Sequence, residues 1–400
     1  MGGKRPSIYM DYQATTPVDE RVMAAMVPYF TKHFGNASSA VHAMGWHAEE
    51  AVKQARARIA NLLGASRPSE IIFTSGATES NNLAIFGVAR RYRRKGNHII
   101  TVATEHKAIL DPCKAWEAEG GRVTYLKVAP NGLVDLDQLE DSICDQTVLI
   151  SVMHANNEIG VLQPIAGIGR MARAHGVLFH TDASQSAGKL PLDVNAMNID
   201  LLSLSGHKIY GPKGIGVLYA RHRQPRVSLM PVAYGGGHEG GRRSGTLNVP
   251  GIVGLAKALE LCIEEGPQAQ AALLEMRQSL WRGLQSELDG LILNGDEHHR
   301  LPANLNISIE RLEIARLFSE IPHIAISSKS ACSTQSGEPS HVLLALGRPP
   351  QLASSAIRFG LGRFSTMDEV DSVIPDLTAA IKKLRQSSTK YVSAQTQQIR

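Results

Sequence analysis

The feature that most constrains the fold is a regular alternation of short apolar runs with amphipathic segments over residues 71–219. The runs have the length and β-branched content of buried strands, and the segments between them repeat apolar residues at helical spacing. The predicted strands are 71–74, 98–103, 122–127, 148–153, 177–180, 201–204 and 215–219, and the predicted helices are 77–94, 107–119, 135–143 and 165–175. This order predicts an α/β fold, in which a mostly parallel seven-stranded sheet lies between helices.

The rest of the sequence predicts a second, smaller domain. After a helix at 251–264, the pattern changes to long helices at 267–288 and 366–385 with shorter strands, such as 305–309. This mixture is typical of an α+β domain. The expected division is 17–262 for the large domain, 1–16 and 263–385 for the small domain, and 386–400 for a polar, flexible tail.

Composition excludes several classes of protein. The 42 basic and 37 acidic residues leave a net charge of +5 over 400 residues, which does not call for direct binding to nucleic acid. No apolar run approaches the roughly 18 residues that span a bilayer, so no membrane contact is expected. The four cysteines form no CxxC pair, which argues against a zinc ribbon and favours a reducing, cytoplasmic location. Three of them, Cys113, Cys144 and Cys262, are expected to be buried packing residues.

The segment Thr74-Ser-Gly-Ala-Thr-Glu-Ser has the pattern of an anion site. It follows a predicted strand and begins a predicted helix. A small-residue turn there presents unpaired backbone N–H groups and the positive end of the helix dipole, which suits a phosphate. A simple helix cap formed by Ser75 or Thr78 is the alternative.

Two further residues lie at predicted strand ends. Asp182 ends an apolar strand and Lys208 follows the next one, inside a turn rich in Gly and Pro. Each alone is compatible with an ordinary cap or a surface turn. A carboxylate, a lysine that can form a Schiff base and a phosphate site together are what pyridoxal phosphate (PLP) requires.

The motifs of the chain extend this pattern to a family. The chain resembles the NifS/IscS-like cysteine desulfurases, in the class V branch of the fold type I PLP enzymes, over residues 9 to 364. The matching motifs are YQATTP (12–17), FGNASS (34–39), FTSGATESNN (73–82), TEHK (104–107), HANNEIG (154–160), HTDASQS (180–186), SGHKIYGPKG (205–214), GGGHE (235–239), RSGT (243–246), SACS (330–333) and IRFGLGR (357–363).

The resemblance implies a role for each matching residue. Lys208 would bind PLP covalently and then move the proton at the substrate Cα. His106 would stack on the ring and act in acid–base steps, and Arg358 would bind the substrate carboxylate in a bidentate manner. The other implied contacts are Asp182 at the pyridinium nitrogen, Gln185 at the ring hydroxyl, Asn157 at the cofactor and the substrate carboxylate, Ala77, Thr78, Ser205 and His207 at the phosphate, and Thr246 at the phosphate of the opposite subunit of a homodimer with shared active sites.

Cys332 is the nucleophile in this interpretation. It lies in a run of small polar residues, 327–340, that is too polar for a core. The resemblance implies that its thiolate takes sulfur from L-cysteine, leaving L-alanine, and passes the persulfide to an acceptor such as an iron–sulfur scaffold or a thiolation enzyme. On a scaffold partner Cys332 would ligate a cluster only transiently, so no resident metal site is expected.

Other interpretations of the sequence stay open. A selenocysteine lyase or an aminotransferase of the same branch would share the cofactor residues, and an aminotransferase would not need Cys332. A partner protein without activity is the non-enzymatic alternative. Lys329 stands where the family usually has glycine, and its charge either favours the Cys332 thiolate or lies in solvent.

Overall fold

The computed structural model describes residues 7–328 and 338–398, with side chains up to residue 387. Its strands are β1 (Ile8–Tyr9), β2 (Ile71–Thr74), β3 (His98–Val102), β4 (Arg122–Leu126), β5 (Thr147–Ser151), β6 (Leu178–Asp182), β7 (Leu201–Ser205), β8 (Gly216–Ala220), β9 (Leu291–Leu293), β10 (Asn304–Ile309), β11 (Ile324–Ala325) and β12 (Ala356–Gly360). Its α-helices are α1 (Glu20–Met26), α2 (Pro28–Thr31), α3 (Ala43–Leu62), α4 (Ala77–Arg91), α5 (Lys107–Ala118), α6 (Leu136–Asp141), α7 (Ile165–Ala174), α8 (Val249–Glu287), α9 (Ile314–Glu320), α10 (His341–Ala345), α11 (Pro350–Ser354) and α12 (Met367–Gln398).

A seven-stranded sheet forms the centre of the molecule, in the order β2-β8-β7-β6-β5-β3-β4. The strand β8 runs antiparallel to both neighbours, and the other pairs are parallel. Every residue of β5, β6 and β7 is buried, as expected for strands that helices cover on both faces. The predicted mostly parallel α/β sheet is confirmed.

Side chains that alternate along the strands form a separate apolar layer on each face of this sheet. Ile71 and Phe73 belong to the layer that packs under α3 and the first half of α8. Ile72 points into the opposite layer, which α4 and α5 cover. A third apolar cluster lies apart from the sheet, where β10 and β12 pack against α12 and the second half of α8.

The structure differs from the sequence prediction in the long helices. Instead of two helices at 251–264 and 267–288, α8 is one helix that contains Pro267. Proline removes one backbone hydrogen bond, but Leu259 and Leu273 bury apolar faces on either side of it, and this packing keeps the helix continuous. The expected domain boundary therefore falls inside α8, and the division into domains stays a prediction.

The C-terminal helix is also longer than expected. The backbone of α12 continues to Gln398, through most of the polar segment for which the composition predicts a flexible tail. Among the described residues, none of the helices has the combination of length and apolar character that a membrane crossing requires.

Candidate active site

A cavity of about 510 Å³ opens beside the carboxyl ends of β6 and β7. Ligands of α/β sheets bind at this edge, because the loops that follow parallel strands meet there. The cavity brings together ten of the predicted residues: Ala77, Thr78, His106, Asn157, Asp182, Gln185, Ser205, His207, Lys208 and Arg358. Thr246 does not line it and has an exposed side chain, and Cys332 lies outside the described residues.

Asp182 is the buried acid of this cavity. Its Oδ2 accepts a hydrogen bond from Asn81 Nδ2 at 2.7 Å, and its Oδ1 accepts from the Ser184 backbone N–H at 2.9 Å. Ser184 Oγ donates to the same oxygen at 2.5 Å. These donors hold the carboxylate in one orientation at the end of β6.

Lys208 lies in a short helical turn directly after β7, the strand beside the one that ends in Asp182. Its Nζ donates to the carbonyl oxygens of Gln13 and Ala14, at 2.5 and 2.7 Å. Gln185 Nε2 donates to the same Gln13 carbonyl at 3.0 Å, while the buried Gln185 Oε1 has no partner. The pairing of β6 with β7 thus places an amine and a carboxylate at one end of the cavity.

The start of α4 has the small-residue turn for which the sequence predicts an anion site. A Cβ at Gly216 would lie 2.6 Å from Gly76 Cα, so only glycine allows β8 to approach this turn so closely. Ala77 and Thr78 are the first residues of α4, whose initial N–H groups have no partner within the helix. Ser205, at the end of β7, lines the same corner. The corner therefore presents several hydrogen-bond donors to an anion.

His207 lines this corner as a neutral imidazole. Burial lowers its pKa to about 4, and the charges of Lys208, Lys213 and Lys189 act in the same direction. Its Nδ1 lies 3.1 Å from Thr15 Oγ1. The side chain therefore acts as a hydrogen-bonding group at neutral pH, while the neighbouring lysines supply the positive charge.

His106 lines the cavity as the residue that caps the N-terminus of α5. Its Nδ1 accepts a hydrogen bond from the Ala108 N–H at 3.1 Å, which fixes the orientation of the ring. The preceding residue, Glu105, is fully buried, and its Oε1 accepts from the Met153 N–H at 2.5 Å. Burial raises the pKa of Glu105 well above its usual range, and the nearby Asp182 charge adds to this effect.

Arg358 forms another wall, from β12. Its side chain is only 2% exposed. One terminal nitrogen donates to the Asn157 carbonyl at 2.6 Å, and the other pairs with Asp11 Oδ1 at 2.6 Å. The buried Nε has no partner, and neither does Asn157 Oδ1. A guanidinium has five N–H groups, so donors remain for a carboxylate that enters the cavity.

The sequence prediction missed Asn81 and Asp11. Asn81 lies four residues after Ala77, which puts both on one face of α4, so helical periodicity within the motif 73–82 contains a signal for it. Asp11 meets Arg358 across 347 positions of the chain, and no local pattern indicates that contact.

The expectation that three cysteines are packing residues holds for two of them. Cys113 and Cys262 are buried, whereas Cys144 is exposed, and the prediction is wrong there because its loop lies at the surface. Arg122 donates to Cys144 Sγ at 2.7 Å. Partial desolvation alone would raise the pKa of this thiol, but hydrogen bonds from Thr147 and the backbone of residue 146 and the Arg122 charge lower it.

Within the described ranges 7–328 and 338–398, no group of three or more His, Cys, Asp or Glu side chains is arranged to hold a metal ion. Four buried polar atoms without a partner belong instead to side chains that line this cavity and can bind an organic ligand. Asn81 Oδ1, Asn157 Oδ1, Gln185 Oε1 and Arg358 Nε are all buried and without a partner in this structure. These groups, the acid, the amine and the anion corner together fit a phosphorylated ring that carries a second, amino-acid-like ligand.

Comparison with known proteins identifies the family. Residues 8–373 match the model of the aminotransferase class-V family. The chain belongs to this family. It is 55% identical to the protein named cysteine desulfurase IscS of Anaeromyxobacter sp. (strain Fw109-5), over 96% of this chain and 95% of that protein. These matches extend across both the sheet and the Arg358 region.

Solved structures of the family have the same fold. A structure titled NifS-like protein superposes with a TM-score of 0.87 and 36% identity, covering 94% of this chain and 99% of that chain. One titled SspA in complex with cysteine gives a TM-score of 0.79 and 41% identity, covering 90% of this chain and all of that chain. The class-V aminotransferase fold of this protein is therefore shown by sequence and by structure.

Proposed function

We propose that this class-V protein is a cysteine desulfurase, which converts L-cysteine to L-alanine and transfers the sulfur through a persulfide on Cys332. The observation that carries the proposal is the cavity in which Asp182, Lys208 and Arg358 meet. The 55% identity to a protein named cysteine desulfurase over nearly the full chain supports this activity. A family member whose structure is titled as a complex with cysteine supports the substrate.

The residues of the cavity fit PLP as the resident cofactor. Lys208 would carry it, and Asp182 would hold the proton of the pyridine nitrogen. Gln185 Oε1, which lacks a partner, is free to accept from the ring hydroxyl. The residues that would hold the phosphate are Ala77, Thr78, Ser205 and His207. Bound there, PLP supplies an electron sink for the electron pair left at the substrate Cα.

Arg358 and Asn157 would bind the substrate. Their mutual hydrogen bond holds the guanidinium at the cavity wall, and Asp11 holds its other end. The remaining N–H groups of Arg358 can donate to the α-carboxylate of L-cysteine. An arginine fixed by two acceptors loses little side-chain freedom when it binds this carboxylate.

Lys208 and Cys332 would carry the reactive steps. The Lys208 amine accepts the proton of the substrate Cα, with His106 as a second acid–base group beside it. The Cys332 thiolate then attacks the substrate sulfur, so that an S–S bond forms and the Cβ–S bond breaks. The electron pair of the broken bond stays on Cβ, which takes up a proton and becomes a methyl group, and the Lys208 ammonium returns a proton to Cα, which gives L-alanine. An acceptor thiol later removes the sulfur from Cys332.

A homodimer with shared sites fits the surface of the chain. The segment that follows α1 exposes large apolar side chains: Phe30 (59%), Phe34 (68%), Val41 (87%) and Trp46 (54%). Apolar side chains this exposed within one segment are typical of a subunit interface. Thr246 is exposed as well, which is compatible with its proposed contact to the phosphate in a second copy.

The sulfur acceptor is proposed to be an iron–sulfur scaffold or a thiolation enzyme, as the sequence resemblance to the cysteine desulfurases implies. The location is proposed to be the cytoplasm. Among the described cysteines Cys113, Cys144 and Cys262 are unpaired, which supports a reducing compartment.

The experiment that tests the proposal measures L-alanine and sulfide from L-cysteine with the PLP-loaded wild-type protein and with Cys332→Ala. We expect that the wild type forms both products. We expect that Cys332→Ala keeps the cofactor absorbance but loses at least about 100-fold in rate, because no other thiol replaces the nucleophile. The matched control is Cys144→Ala, which removes an exposed thiol and should leave the rate within about two-fold of wild type.

Two outcomes contradict the proposal at different levels. If the wild type binds PLP but forms no alanine from L-cysteine, the proposed cysteine desulfurase activity is wrong. If Cys332→Ala retains the wild-type rate, desulfuration stands and the role of Cys332 is wrong.

A further inference from the structure

The anion corner at the start of α4 contains a carboxylate of its own. Glu79 is the third residue of α4 and lines the active-site cavity together with Ser75, Gly76, Ala77 and Thr78. Its Oε2 accepts a hydrogen bond from the Ser75 backbone N–H at 2.6 Å. The positive end of the helix dipole stabilises an acid at this position, but the same acid competes with a bound phosphate for that positive end.

Arg243 pairs with the Glu79 carboxylate. Its Nε donates to Glu79 Oε1 at 2.9 Å, and a terminal nitrogen donates to Oε2 at 3.4 Å. The two side chains are 21% and 20% exposed, so solvent screens this ion pair less than a fully exposed one. Partial burial alone would raise the pKa of the Glu79 carboxyl, but the hydrogen bonds from Arg243 and Ser75 lower it overall. Glu79 is therefore ionised at neutral pH, with Arg243 as its counter-ion.

The loop that carries Arg243 is fixed to the strand that leads into the anion corner. Glu239, four residues before Arg243, is buried, and its Oε2 accepts from the backbone N–H of Phe73 in β2 at 2.9 Å. Arg56 of α3 binds both oxygens of Glu239, at 2.7 and 2.6 Å. A fork of this kind holds the carboxylate in one orientation. Arg243 therefore reaches Glu79 from a loop that is anchored beside the corner.

This pairing determines which charge the corner presents to a ligand. The Ser75 N–H is taken by Glu79, whereas the N–H groups of Ala77 and Thr78 have no partner within α4 and stay available to a phosphate. A phosphate and a carboxylate at the same helix terminus repel each other. The charge of Arg243 offsets this repulsion.

We propose that Glu79 and Arg243 are positioning residues for the phosphate of the cofactor. Glu79 fixes the turn of the corner through the Ser75 N–H, and Arg243 cancels the negative charge that Glu79 brings to it. The inference rests on the proposed PLP cofactor, and therefore on the proposed desulfurase function. It assigns the effect on phosphate affinity to the ion pair. Loss of Arg243 alone leaves an uncompensated anion at the corner, whereas loss of both charges does not.

Charge variants of the full-length protein test the inference. Arg243→Gln removes the positive charge and keeps a side-chain N–H donor, and Glu79→Gln removes the negative charge and keeps an acceptor for the Ser75 N–H. The double variant combines the two changes. The matched control is Arg90→Gln, because Arg90 forms a similar ion pair with Glu119 at the opposite end of the same helix. Arg243→Met serves as a second variant if the glutamine impairs folding.

The measured quantity is the dissociation constant of PLP, obtained from the cofactor absorbance when the PLP-free protein is titrated. We expect Arg243→Gln to raise this constant about ten-fold, the order of magnitude expected for a like charge left uncompensated at a partly shielded site. The double variant should return the constant to within about three-fold of wild type. Arg90→Gln should leave it within about two-fold.

Pyridoxal provides a second readout that separates the phosphate from the rest of the cofactor. It has the same ring and aldehyde but no phosphate group. Its dissociation constant should therefore be the same for the wild type and for Arg243→Gln. General damage to the cavity would weaken the binding of both ligands.

Each contrary result has one meaning. A wild-type PLP dissociation constant in both Arg243→Gln and Arg243→Met overturns the inference and leaves the proposed function intact. A loss of affinity that the double variant does not recover also overturns it, because Arg243 then does not act through Glu79. An equal loss for pyridoxal overturns it as well, because the effect then does not depend on the phosphate. A wild-type protein that binds no PLP overturns the proposed function itself.

Discussion

The cavity has two walls that hold ionisable side chains in different ways. The sheet wall carries Asp182 and Lys208, at the ends of the neighbouring parallel strands β6 and β7. The arginine wall carries Arg358, which is held by Asp11 and by the carbonyl of Asn157. The sheet wall follows from regular strand pairing, whereas the arginine wall exists only where three distant parts of the chain meet.

This difference indicates that one wall holds the proposed cofactor and the other binds the substrate. Strand pairing fixes the acid and the amine within the central sheet, where the proposed cofactor would keep its place through every turnover. Arg358 lies on β12, in a sheet that has its own apolar cluster. Changes in the arginine wall should therefore alter substrate binding and leave the cofactor in place. Changes in the sheet wall should alter the cofactor chemistry.

The largest expected effect is on the sheet wall. We expect Asp182→Asn to lower the rate of alanine formation at least about 100-fold, or about 2.7 kcal/mol, because a neutral amide cannot hold the proton of the ring nitrogen. The cofactor should remain bound, which its absorbance reports. The control is Ser184→Ala, which removes one hydrogen bond to the same carboxylate. It should lower the rate of alanine formation only a few-fold. If the rate of alanine formation by Asp182→Asn were within about ten-fold of the wild-type rate, Asp182 would not be the group that holds the proton of the ring nitrogen.

A smaller effect is expected on the arginine wall. We expect Arg358→Lys to raise the KM for L-cysteine about 30-fold, or about 2 kcal/mol, because an ammonium cannot bind a carboxylate through two parallel hydrogen bonds. Steady-state kinetics at saturating PLP measures this, and cofactor affinity should not change.

The control for this prediction is Arg363→Lys. Arg363 ends the same motif, but it pairs with Asp19 and Glu265 and does not line this cavity. The KM of Arg363→Lys for L-cysteine should stay close to the wild-type value. If Arg358→Lys instead weakened PLP binding and left KM unchanged, the proposed separation of the two walls would be wrong.

The third expected effect is the pH dependence of stability that His180 gives the sheet wall. Burial lowers the pKa of this histidine to about 4, although the Asp182 charge acts in the opposite direction. Below about pH 6.5 the unfolded state binds a proton there that the folded state does not bind. Stability is therefore lost as the pH falls from about 6.5 toward 4, by about 1 kcal/mol per pH unit.

Urea unfolding at pH 7 and pH 5 measures this dependence. His180→Asn should reduce the slope between the two values, because its amide can replace part of the contacts to Ser151 and Ser203 without titrating. The control is His175→Asn, at an exposed position beside Glu140, which should leave the slope nearly unchanged. Identical slopes for wild type and His180→Asn would refute the assignment to His180.

The positions of Asp182 and Lys208 at neighbouring strand ends could be predicted because the sequence signals for them are local. Asp182 and Lys208 each follow an apolar run, and strands that alternate with helices place their carboxyl ends together. The start of α4 was visible as a small-residue turn before a helix. The helix α8 was predicted as two because Gly266 and Pro267 look like a break, and only packing on both sides of the proline keeps it continuous.

What the sequence by itself determined is the seven-stranded α/β sheet, the family and ten residues that meet in one cavity, because strand-end position and motif spacing are local properties. Only the tertiary structure decided that Asp11 holds Arg358, that Asn81 holds Asp182 and that α10 is attached beside His106 and Asn157. Those contacts join segments between 101 and 347 positions apart. Hydrogen-bond geometry and burial select such partners only after the chain has folded, and no local pattern encodes them.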